Sequence, residues 1–220
     1  MKYKIGIVGW NTGDNSFGAS KSYLTYLRQY GEVHIITPEQ EVREDLDLLV
    51  LPGGADVDTT RYGELPEYYT TNPNMILEYF DRVRLPEYIN NGQSILGICR
   101  GMQSLGVYFG AKLIQEIGGH PYSTKSRSEL VHKVWIYDST IPKDLLETKG
   151  AKGGEVYIET NSLHHQAIDM ESLGNTPIKV IGVTKEVGAD VGVEIIKIQG
   201  HNIIGVQFHP KFFGALVSNN

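Results

Sequence analysis

Apolar residues along the chain follow two spacings, one typical of strands and one typical of helices. Short runs rich in Val, Ile and Leu predict four strands in the N-terminal half: Tyr3–Gly9, Val33–Thr37, Leu46–Leu51 and Ser94–Ile98. A helical pattern between the first two strands ends at Gly31, and Asn72-Pro73 opens a second helix that Pro86 should end or kink. Strands that alternate with helices in this way predict crossover units on a parallel sheet.

The C-terminal half has a different pattern, because its strands follow one another with few long helices between them. The predicted strands are Val131–Tyr137, Glu155–Thr160, Ile178–Val183, Val191–Ile198 and Ile203–Phe208. Such a succession favours antiparallel or mixed pairing. The sequence has no low-complexity linker and no internal repeat between the halves. We therefore expect a single domain over residues 1–220 whose halves share one sheet or pack tightly, with two domains as the alternative.

The composition is that of an ordinary globular protein, with 40% hydrophobic and 21% charged residues. A net charge of −6 and the absence of any Lys/Arg run argue against a nucleic-acid partner. No stretch of the sequence is long and apolar enough to span a bilayer, and the apolar start is too short for a signal peptide. The single cysteine excludes an internal disulfide and a cysteine-based metal cluster. These features fit a cytoplasmic protein that contacts neither nucleic acid nor membrane.

The cysteine lies in a motif typical of a nucleophile at a sharp turn. Gly97-Ile98-Cys99-Arg100-Gly101 follows a predicted strand and precedes the helical stretch Met102–Phe109. This is the strand, turn and helix order of the Gly-x-Ser-x-Gly elbow, with sulfur in place of oxygen. The flanking glycines are needed because neighbouring backbone comes close to a strained central residue. The N-terminus of the helix would stabilise a thiolate, so the sequence predicts Cys99 as a nucleophile.

Two further segments offer the partners that acyl transfer through a thiol requires. Gly53-Gly54 follows another predicted strand and offers bare backbone whose N–H groups could hold an oxyanion. His209 lies just beyond the last strand and is available as a general base and acid. Each piece alone has a structural explanation: a buried small apolar cysteine, a plain glycine turn and a hydrogen-bonded histidine. Together they favour a Cys–His nucleophilic site.

Five segments in this order give the chain a specific resemblance to a known superfamily. They are Leu51-Pro52-Gly53-Gly54-Ala55-Asp56-Val57-Asp58 with Tyr62-Gly63-Glu64, Leu96-Gly97-Ile98-Cys99-Arg100-Gly101-Met102-Gln103, Asn161-Ser162-Leu163-His164-His165-Gln166, Val193-Glu194 and Gly205-Val206-Gln207-Phe208-His209-Pro210. The sequence resembles the class I glutamine amidotransferase superfamily, and most closely its γ-glutamyl hydrolase or γ-glutamyl-γ-aminobutyrate hydrolase branch, peptidase C26. The resemblance implies an α/β fold, a flavodoxin-like three-layer sandwich with a central, mostly parallel sheet and an additional antiparallel C-terminal portion.

The resemblance also implies a chemistry for particular residues. Cys99 would attack a γ-glutamyl amide to form a thioester, and His209 would shuttle the proton. The backbone N–H groups of Gly54 and Arg100 would hold the oxyanion. The residues implied to bind the glutamyl group are Gly53, Gln103, Asn161, Ser162, Leu163 and His164. Members of the family need no metal or organic cofactor.

Metal and nucleotide sites are also disfavoured by the residues themselves. His164 and His165 are adjacent, and since successive side chains diverge they are poorly placed to bind one metal ion. The glycine pattern at residues 6–13 does not match Gly-x-Gly-x-x-Gly, and the sequence has no Gly-Lys-Ser/Thr phosphate loop. We therefore expect neither kind of site.

Lys211 departs from the pattern of the superfamily, in which a glutamate normally follows the His-Pro pair and orients the imidazole. A cation near His209 would disfavour the imidazolium form. Three hypotheses follow. Either Glu194 or Asp190 orients His209, or the Cys–His dyad works unaided, or the protein binds its ligand with little turnover.

The leading functional hypothesis is a stand-alone hydrolase of a γ-glutamyl amide bond in a γ-glutamyl amine, a γ-glutamyl peptide or glutamine. The segments at residues 53–58 and 161–166 fit the hydrolase branch better than the ammonia-donating components of synthetases. The alternatives are a glutaminase component that serves a synthetase partner and a binding protein weakened by Lys211. The expected partner is a small-molecule γ-glutamyl substrate, with a homo-oligomer or a synthetase as candidate protein partners.

Overall fold

A ten-stranded sheet, flanked by short helices, forms the centre of the protein. The computed structural model describes residues 2–13, 16–118, 120, 122–137, 149–150, 156–185 and 192–210. In chain order the strands are β1 (Tyr3–Val8), β2 (Trp10–Gly13), β3 (Ser16–Gly18), β4 (Gly31–Ile36), β5 (Leu48–Leu51), β6 (Ile95–Ile98), β7 (Leu113–Ile114), β8 (His132–Ile136), β9 (Lys149–Gly150), β10 (Val156–Thr160), β11 (Ala167–Ile168), β12 (Ile178–Thr184), β13 (Val193–Ile198) and β14 (Ile203–Val206). The helices are α1 (Lys21–Leu27), α2 (Met75–Tyr79), α3 (Leu85–Asn90) and α4 (Arg100–Tyr108), with a π-helical turn at Phe80–Arg84 and 3-10 turns at Thr59–Tyr62 and Met170–Leu173. None of the helices in these described ranges has the length and apolar character needed to cross a membrane.

The sheet combines a parallel half with an antiparallel half, in the order β4-β1-β5-β6-β14-β13-β12-β8-β10-β9. The first five strands are parallel and follow the strand order of flavodoxin-like folds. From β14 onward each neighbouring pair is antiparallel. This topology confirms the predicted α/β fold with an antiparallel C-terminal portion. Two small pairs, β2 with β3 and β7 with β11, lie outside the main sheet.

Alternating side chains of the parallel strands build apolar cores on both faces of the sheet. Val50 packs on one face with Tyr23 and Leu27 of α1. Leu49 and Leu51 pack on the other face with apolar side chains of α2, α3 and α4. Because successive strand residues point to opposite faces, one short strand serves both cores and three layers result.

The second helical segment continues past Pro86 instead of ending there. The side chain of Asn74 caps α2 by accepting hydrogen bonds from the N–H groups of Ile76 and Leu77 at 3.0 and 3.2 Å. Pro86 lies in the first turn of α3, directly after the π-helical turn at Phe80–Arg84. A proline lacks an N–H and its ring collides with the carbonyl four residues earlier in an α-helix. The wider turn that precedes Pro86 accommodates the ring, so the chain stays helical through the proline.

Four charged side chains form a buried ion network between the second helical segment and α4. Arg100 pairs with Glu78 and Asp81, and its Nη1 lies 2.6 Å from Oδ2 of Asp81. Arg61 Nη1 lies 2.9 Å from Asp81 and 3.5 Å from Glu78. Burial opposes the charge of Arg100, but the Asp81 and Glu78 carboxylates outweigh that effect and raise its pKa. Balanced charges in the core therefore hold the side chain of Arg100, the residue that follows Cys99, in place.

Removal of one anion from this network should be strongly destabilising. We expect Glu78→Ala to lower the free energy of unfolding by about 3–5 kcal/mol, because the two buried arginines then share the single carboxylate of Asp81. The control is Glu87→Ala, which breaks an Arg84–Glu87 pair of 3.0 Å whose glutamate side chain is 47% exposed. That variant should lose less than about 1 kcal/mol. Urea denaturation of both variants measures the difference, and equal losses would contradict the prediction.

Candidate functional site

The elbow at Cys99 has the strained backbone that its motif predicts. Cys99 has φ 55° and ψ −111°, and no other non-glycine residue in the described ranges has a positive φ. β6 ends at Ile98 and α4 begins at Arg100, so the chain turns within one residue. The Cys99 N–H donates a hydrogen bond of 2.8 Å to the carbonyl of Val206 on β14. The turn is thereby joined to the strand that leads to His209.

Gly97 and Gly101 are required because α4 packs directly on the strand ends. A Cβ atom at Gly101 would overlap the carbonyl oxygen of Leu51 at the end of β5. A Cβ atom at Gly97 would lie 2.7 Å from the carbonyl carbon of Gly101. The glycines on either side of the nucleophile therefore permit contact between the backbones of two strands and a helix.

Cys99 and His209 both lie close to the α-carbon of Gly53. A Cβ atom at Gly53 would lie 2.6 Å from Cε1 of His209 and 3.3 Å from Cβ of Cys99. The N–H of Gly53 donates a hydrogen bond of 2.7 Å to the hydroxyl of Tyr23. The fold therefore brings together a thiol and an imidazole that are distant in sequence, with glycine backbone between them.

Asn161 holds the backbone of His209 through two hydrogen bonds. Its Oδ1 accepts from the His209 N–H at 2.8 Å, and its Nδ2 donates to the His209 carbonyl at 3.1 Å. Nδ2 also donates to the carbonyl of Arg127 at 3.0 Å. The sequence predicts Asn161 as a substrate ligand, whereas the fully buried side chain contacts the backbone of the histidine. Asn161 therefore fixes the backbone of His209, and its role as a substrate ligand stays a prediction.

A cavity of about 360 Å³ lies beside the elbow. Its lining residues are Gly54, Ala55, Asp56, Thr71, Cys99, Gln103, Leu163, His164, His165 and Gln166. Small-molecule sites have volumes of about 300–1,000 Å³, so this cavity suits a ligand of modest size. Of the predicted site residues, the nucleophile, one oxyanion residue and three substrate-binding residues line it.

The glutamines around the cavity differ in how fully they are hydrogen-bonded. Gln103 Nε2 donates to the carbonyl of Gln166 at 3.1 Å and to Oε1 of Gln207 at 3.2 Å. The side-chain amide of Gln166 is buried and has no hydrogen-bond partner within the described part of the chain. Gln166 is thus available to a ligand, although the sequence pattern predicts no role for it. Its position in the 161–166 segment was the signal that could have identified it.

The two predicted oxyanion residues are neighbours. A Cβ atom at Gly54 would lie 3.5 Å from Cδ of Arg100. Arg100 is the first residue of α4, so its N–H has no acceptor within the helix. Ser162, predicted to bind substrate, is fully buried and donates its N–H to Oγ of Ser123 at 3.0 Å. Gly54 and Arg100 are therefore close together, and their oxyanion role stays a prediction, while the Ser162 backbone N–H is already paired.

His164 and His165 diverge, as expected for adjacent residues. His165 Nε2 lies 3.3 Å from Oδ2 of Asp56, and its Nδ1 lies 2.7 Å from Oε2 of Glu116. The bond to Asp56, opposed by burial and assisted by Glu116, raises the pKa of His165 to about 9. His164 points the other way, and its Nδ1 donates to the carbonyl of Gln166 at 3.0 Å. Both imidazoles line the cavity, but only that of His165 is held as a cation by carboxylates, while His164 is buried and bonded to backbone.

Glu194, one candidate for orienting His209, lies among three histidines. Its Oε1 is 3.6 Å from Nε2 of His164 and 3.9 Å from Nε2 of His120, and its Oε2 is 3.7 Å from Nε2 of His132. Burial raises the pKa of Glu194 well above its usual range and lowers the pKa of His120 to about 4 and of His132 to about 3. Asp190, the other candidate for orienting His209, and Lys211, which stands where the superfamily has a glutamate, lie outside the described residues.

The family model described as Peptidase C26 matches residues 18–211 of the chain. The chain belongs to the peptidase C26 family. YvdE of Lactococcus lactis subsp. lactis, named as a putative glutamine amidotransferase-like protein, is 30% identical over an alignment of 226 positions that covers 94% of this chain and 90% of that protein. These findings confirm the predicted superfamily, and they make the chain a glutamine amidotransferase-like hydrolase of amide bonds.

Solved structures share the C26 fold at low sequence identity. PurLQS from Thermotoga maritima aligns with a TM-score of 0.62 and 16% identity over 96% of this chain and 89% of that one. A Thermoplasma acidophilum protein whose name assigns it to a GMP synthase aligns with a TM-score of 0.59 and 20% identity over 96% of this chain and 85% of that one. At these identities the likeness concerns the fold alone.

A methyl group at Gly53 of this C26 protein should separate His209 from Cys99. We expect Gly53→Ala to slow alkylation of Cys99 by iodoacetamide at neutral pH at least about tenfold, since a positioned base contributes about 10²–10⁴-fold. Cys99 is the only cysteine in the sequence, so adduct mass reports this site alone. The control is Gly174→Ala, where φ is −47° and a Cβ atom meets nothing within 4 Å. Similar rates in both variants would exclude the proposed contact.

The His165 contacts predict a pH-dependent contribution to the stability of the C26 domain. Its folded pKa of about 9 exceeds the value of about 6.5 for an unfolded histidine. The stabilisation is therefore complete below about pH 6.5 and is lost as the pH rises through about 9. His165→Asn should reduce the free energy of unfolding more at about pH 6 than at about pH 10, as urea denaturation would show. His201→Asn, which removes an exposed imidazole, is the control, and a deficit that grows with pH would contradict the prediction.

Proposed function

We propose that this protein hydrolyses a γ-glutamyl amide bond through a γ-glutamyl thioester on Cys99. The observation that supports the proposal is the convergence of Cys99, His209 and bare glycine backbone beside a small cavity. Backbone strain of the kind found at Cys99 is retained where it serves a site. A strained thiol next to an imidazole is the arrangement of nucleophilic acyl transfer.

In the acylation step, Sγ of Cys99 attacks the carbonyl carbon of the γ-amide while His209 accepts the thiol proton. The carbonyl oxygen becomes an oxyanion, which the N–H groups of Gly54 and Arg100 stabilise. His209 then donates the proton to the departing nitrogen, the C–N bond breaks, and an amine or ammonia leaves. The glutamyl group remains bound to Cys99 as a thioester.

In the deacylation step, His209 accepts a proton from water as the water oxygen attacks the thioester carbonyl. The same two N–H groups stabilise the second oxyanion. The C–S bond then breaks, His209 returns a proton to the sulfur, and free glutamate leaves. Atoms and charges balance with no cofactor in either step.

Recognition of the glutamyl group falls to the polar residues of the cavity. Gln103 has both Nε2 hydrogens engaged, so its Oε1 is the atom available to an α-ammonium group. The amide of Gln166 has no partner among the described residues, and its Nε2 can donate a hydrogen bond to the α-carboxylate. Leu163 and His164 complete this wall of the cavity, and Gly53 contributes backbone beside the nucleophile. The small cavity favours a small leaving amine.

Lys211 stands where the superfamily has the glutamate that orients the imidazole, so His209 needs another support. We propose that the Cys–His dyad works with support from Asn161, which holds the His209 backbone. Loss of the acid from a serine triad costs up to about 10⁴ in rate, but a thiol needs less activation than a hydroxyl. The dyad therefore retains turnover even with a lysine at position 211.

A synthetase-coupled glutaminase is the second candidate. The Thermoplasma acidophilum neighbour is named as part of a synthase, which supports this role. In that case the ammonia released from glutamine passes to a partner, and the chain alone turns glutamine over slowly. Activation by a co-purifying synthetase would favour this candidate over the stand-alone hydrolase.

Trapping of the acyl-enzyme tests the proposal directly. We expect intact mass spectrometry to detect one covalent adduct after exposure to glutamine, γ-glutamyl amines and a γ-glutamyl-directed electrophile. Cys99→Ala is the control and should form none, because the sequence contains no other thiol. Absence of an adduct from all three reagents, in protein shown to be folded, would exclude the thioester.

The Lys211→Glu variant tests whether the dyad suffices. Its turnover of the same substrates should differ from that of the wild type by less than about tenfold. A larger gain would show that Lys211 limits the rate.

A further inference from the structure

Three histidines and one glutamate from separate segments meet in the interior behind the cavity. His120 precedes β8, His132 opens β8, His164 lies in the 161–166 segment and Glu194 lies in β13. The four side chains are at most 2% exposed. We propose that Nε2 of His120, Nε2 of His164 and the Glu194 carboxylate bind a zinc ion.

One hydrogen bond of 3.3 Å joins Nε2 of His120 to Nε2 of His164, and the Glu194 carboxylate beside them accepts none from the described residues. His164 Nδ1 donates to the Gln166 carbonyl, so in the neutral ring Nε2 bears a lone pair. That lone pair faces Oε1 of Glu194 at 3.6 Å, too far for a hydrogen bond. Neither carboxylate oxygen of Glu194 accepts a hydrogen bond from any residue that the structure describes. A cation between these atoms would satisfy all of them at once.

The distances within the cluster suit tetrahedral zinc. Zinc binds imidazole nitrogen and carboxylate oxygen at about 2.0–2.2 Å, and tetrahedral geometry then separates the ligand atoms by about 3.3–3.6 Å. Nε2 of His120 and Nε2 of His164 are 3.3 Å apart, and they lie 3.9 and 3.6 Å from Oε1 of Glu194. Two imidazoles and one carboxylate also form a ligand set typical of zinc.

His132 is placed to support the site from behind. Its Nε2 lies 3.7 Å from Oε2, the second oxygen of Glu194. A metal on Oε1 leaves Oε2 facing this imidazole, and a shift of about half an ångström on metal binding would bring the two within hydrogen-bond distance, an arrangement that orients carboxylate ligands in metal sites. His132 is therefore a positioning residue of the proposed site.

The zinc ion would join the 161–166 segment to the sheet. His164 belongs to that segment, whose first residue, Asn161, holds the backbone of His209. The N–H of Gln207, two residues before His209, donates to the carbonyl of Glu194 at 2.8 Å. The metal would therefore stabilise the support of the general base, without contact with the reacting atoms.

The test is metal binding by the full chain, produced without a histidine tag. Elemental analysis of protein from zinc-supplemented culture should give about one zinc per chain. After removal of the metal, Co²⁺ should bind at the same site and give the intense visible absorption of a tetrahedral N/O site, which added Zn²⁺ abolishes. This spectrum reports the ligand geometry without reference to enzymatic activity.

Single substitutions identify which residues bind the proposed zinc ion. Glu194→Gln and His120→Asn should each weaken Zn²⁺ binding at least about a hundredfold, and His132→Ala about 10–100-fold. His165→Gln is the matched control, because both nitrogens of this adjacent imidazole contact the carboxylates of Asp56 and Glu116. Its Zn²⁺ affinity should equal that of the wild type.

Two results would overturn the proposal. One is folded wild-type protein that binds neither Zn²⁺ nor Co²⁺, even after refolding in their presence. The other is Glu194→Gln that retains wild-type affinity, which would assign the bound metal to a different place. If Glu194→Gln fails to fold, the Co²⁺ spectrum of the wild type decides, since a weak octahedral spectrum would equally exclude the site.

Discussion

Direct contact between the first turn of α4 and the ends of β5 and β6 is the constraint on which the site depends. Side chains normally hold a helix away from a sheet, but Gly97 and Gly101 have none, and the backbones touch. The chain must then reverse direction within one residue, which gives Cys99 its positive φ. Such strain persists because packing on both sides of the turn determines it. Balanced ion pairs around Arg100 stabilise the same turn from the helix side.

The elbow fixes only half of the site, because His209 is held by a different device. β6 and β14 are parallel neighbours in register from Ile95 to Ile98, so their carboxyl ends lie side by side. Cys99 and His209 leave the sheet from these adjacent ends. Two hydrogen bonds from Asn161 then fix the backbone of His209. A superfamily that usually orients the imidazole with a carboxylate thus has, in this chain, a second support that does not involve position 211.

Local signals made the parallel half and the nucleophile predictable from sequence. β1, β5 and β6 are apolar runs whose bounds lie within two residues of the predicted ones, and Gly97, Cys99 and Gly101 occupy alternate positions of one motif. The role of Asn161 and the histidine cluster were not predictable in this way. His132 and Glu194 come close because β12 pairs antiparallel with both β8 and β13, and His120 and His164 reach the same place from segments outside these strands. No local pattern encodes that meeting. The expectation of no metal site was based on the adjacent pair His164 and His165 and on the family resemblance, and neither describes a cluster that forms only in the folded chain.

The buried ion network around Arg100 and the buried cluster around Glu194 differ in their balance of charges. Arg61 and Arg100 face Glu78 and Asp81, so the number of cations equals that of anions. Among the described residues Glu194 pairs with imidazoles alone, and an isolated carboxylate in the interior is strongly disfavoured. Protonation of Glu194 would supply a donor, yet the nearest imidazole nitrogen lies 3.6 Å away, beyond hydrogen-bond distance. A divalent cation satisfies both the charge and the geometry, which is why the second cluster has the character of a metal site and the first does not.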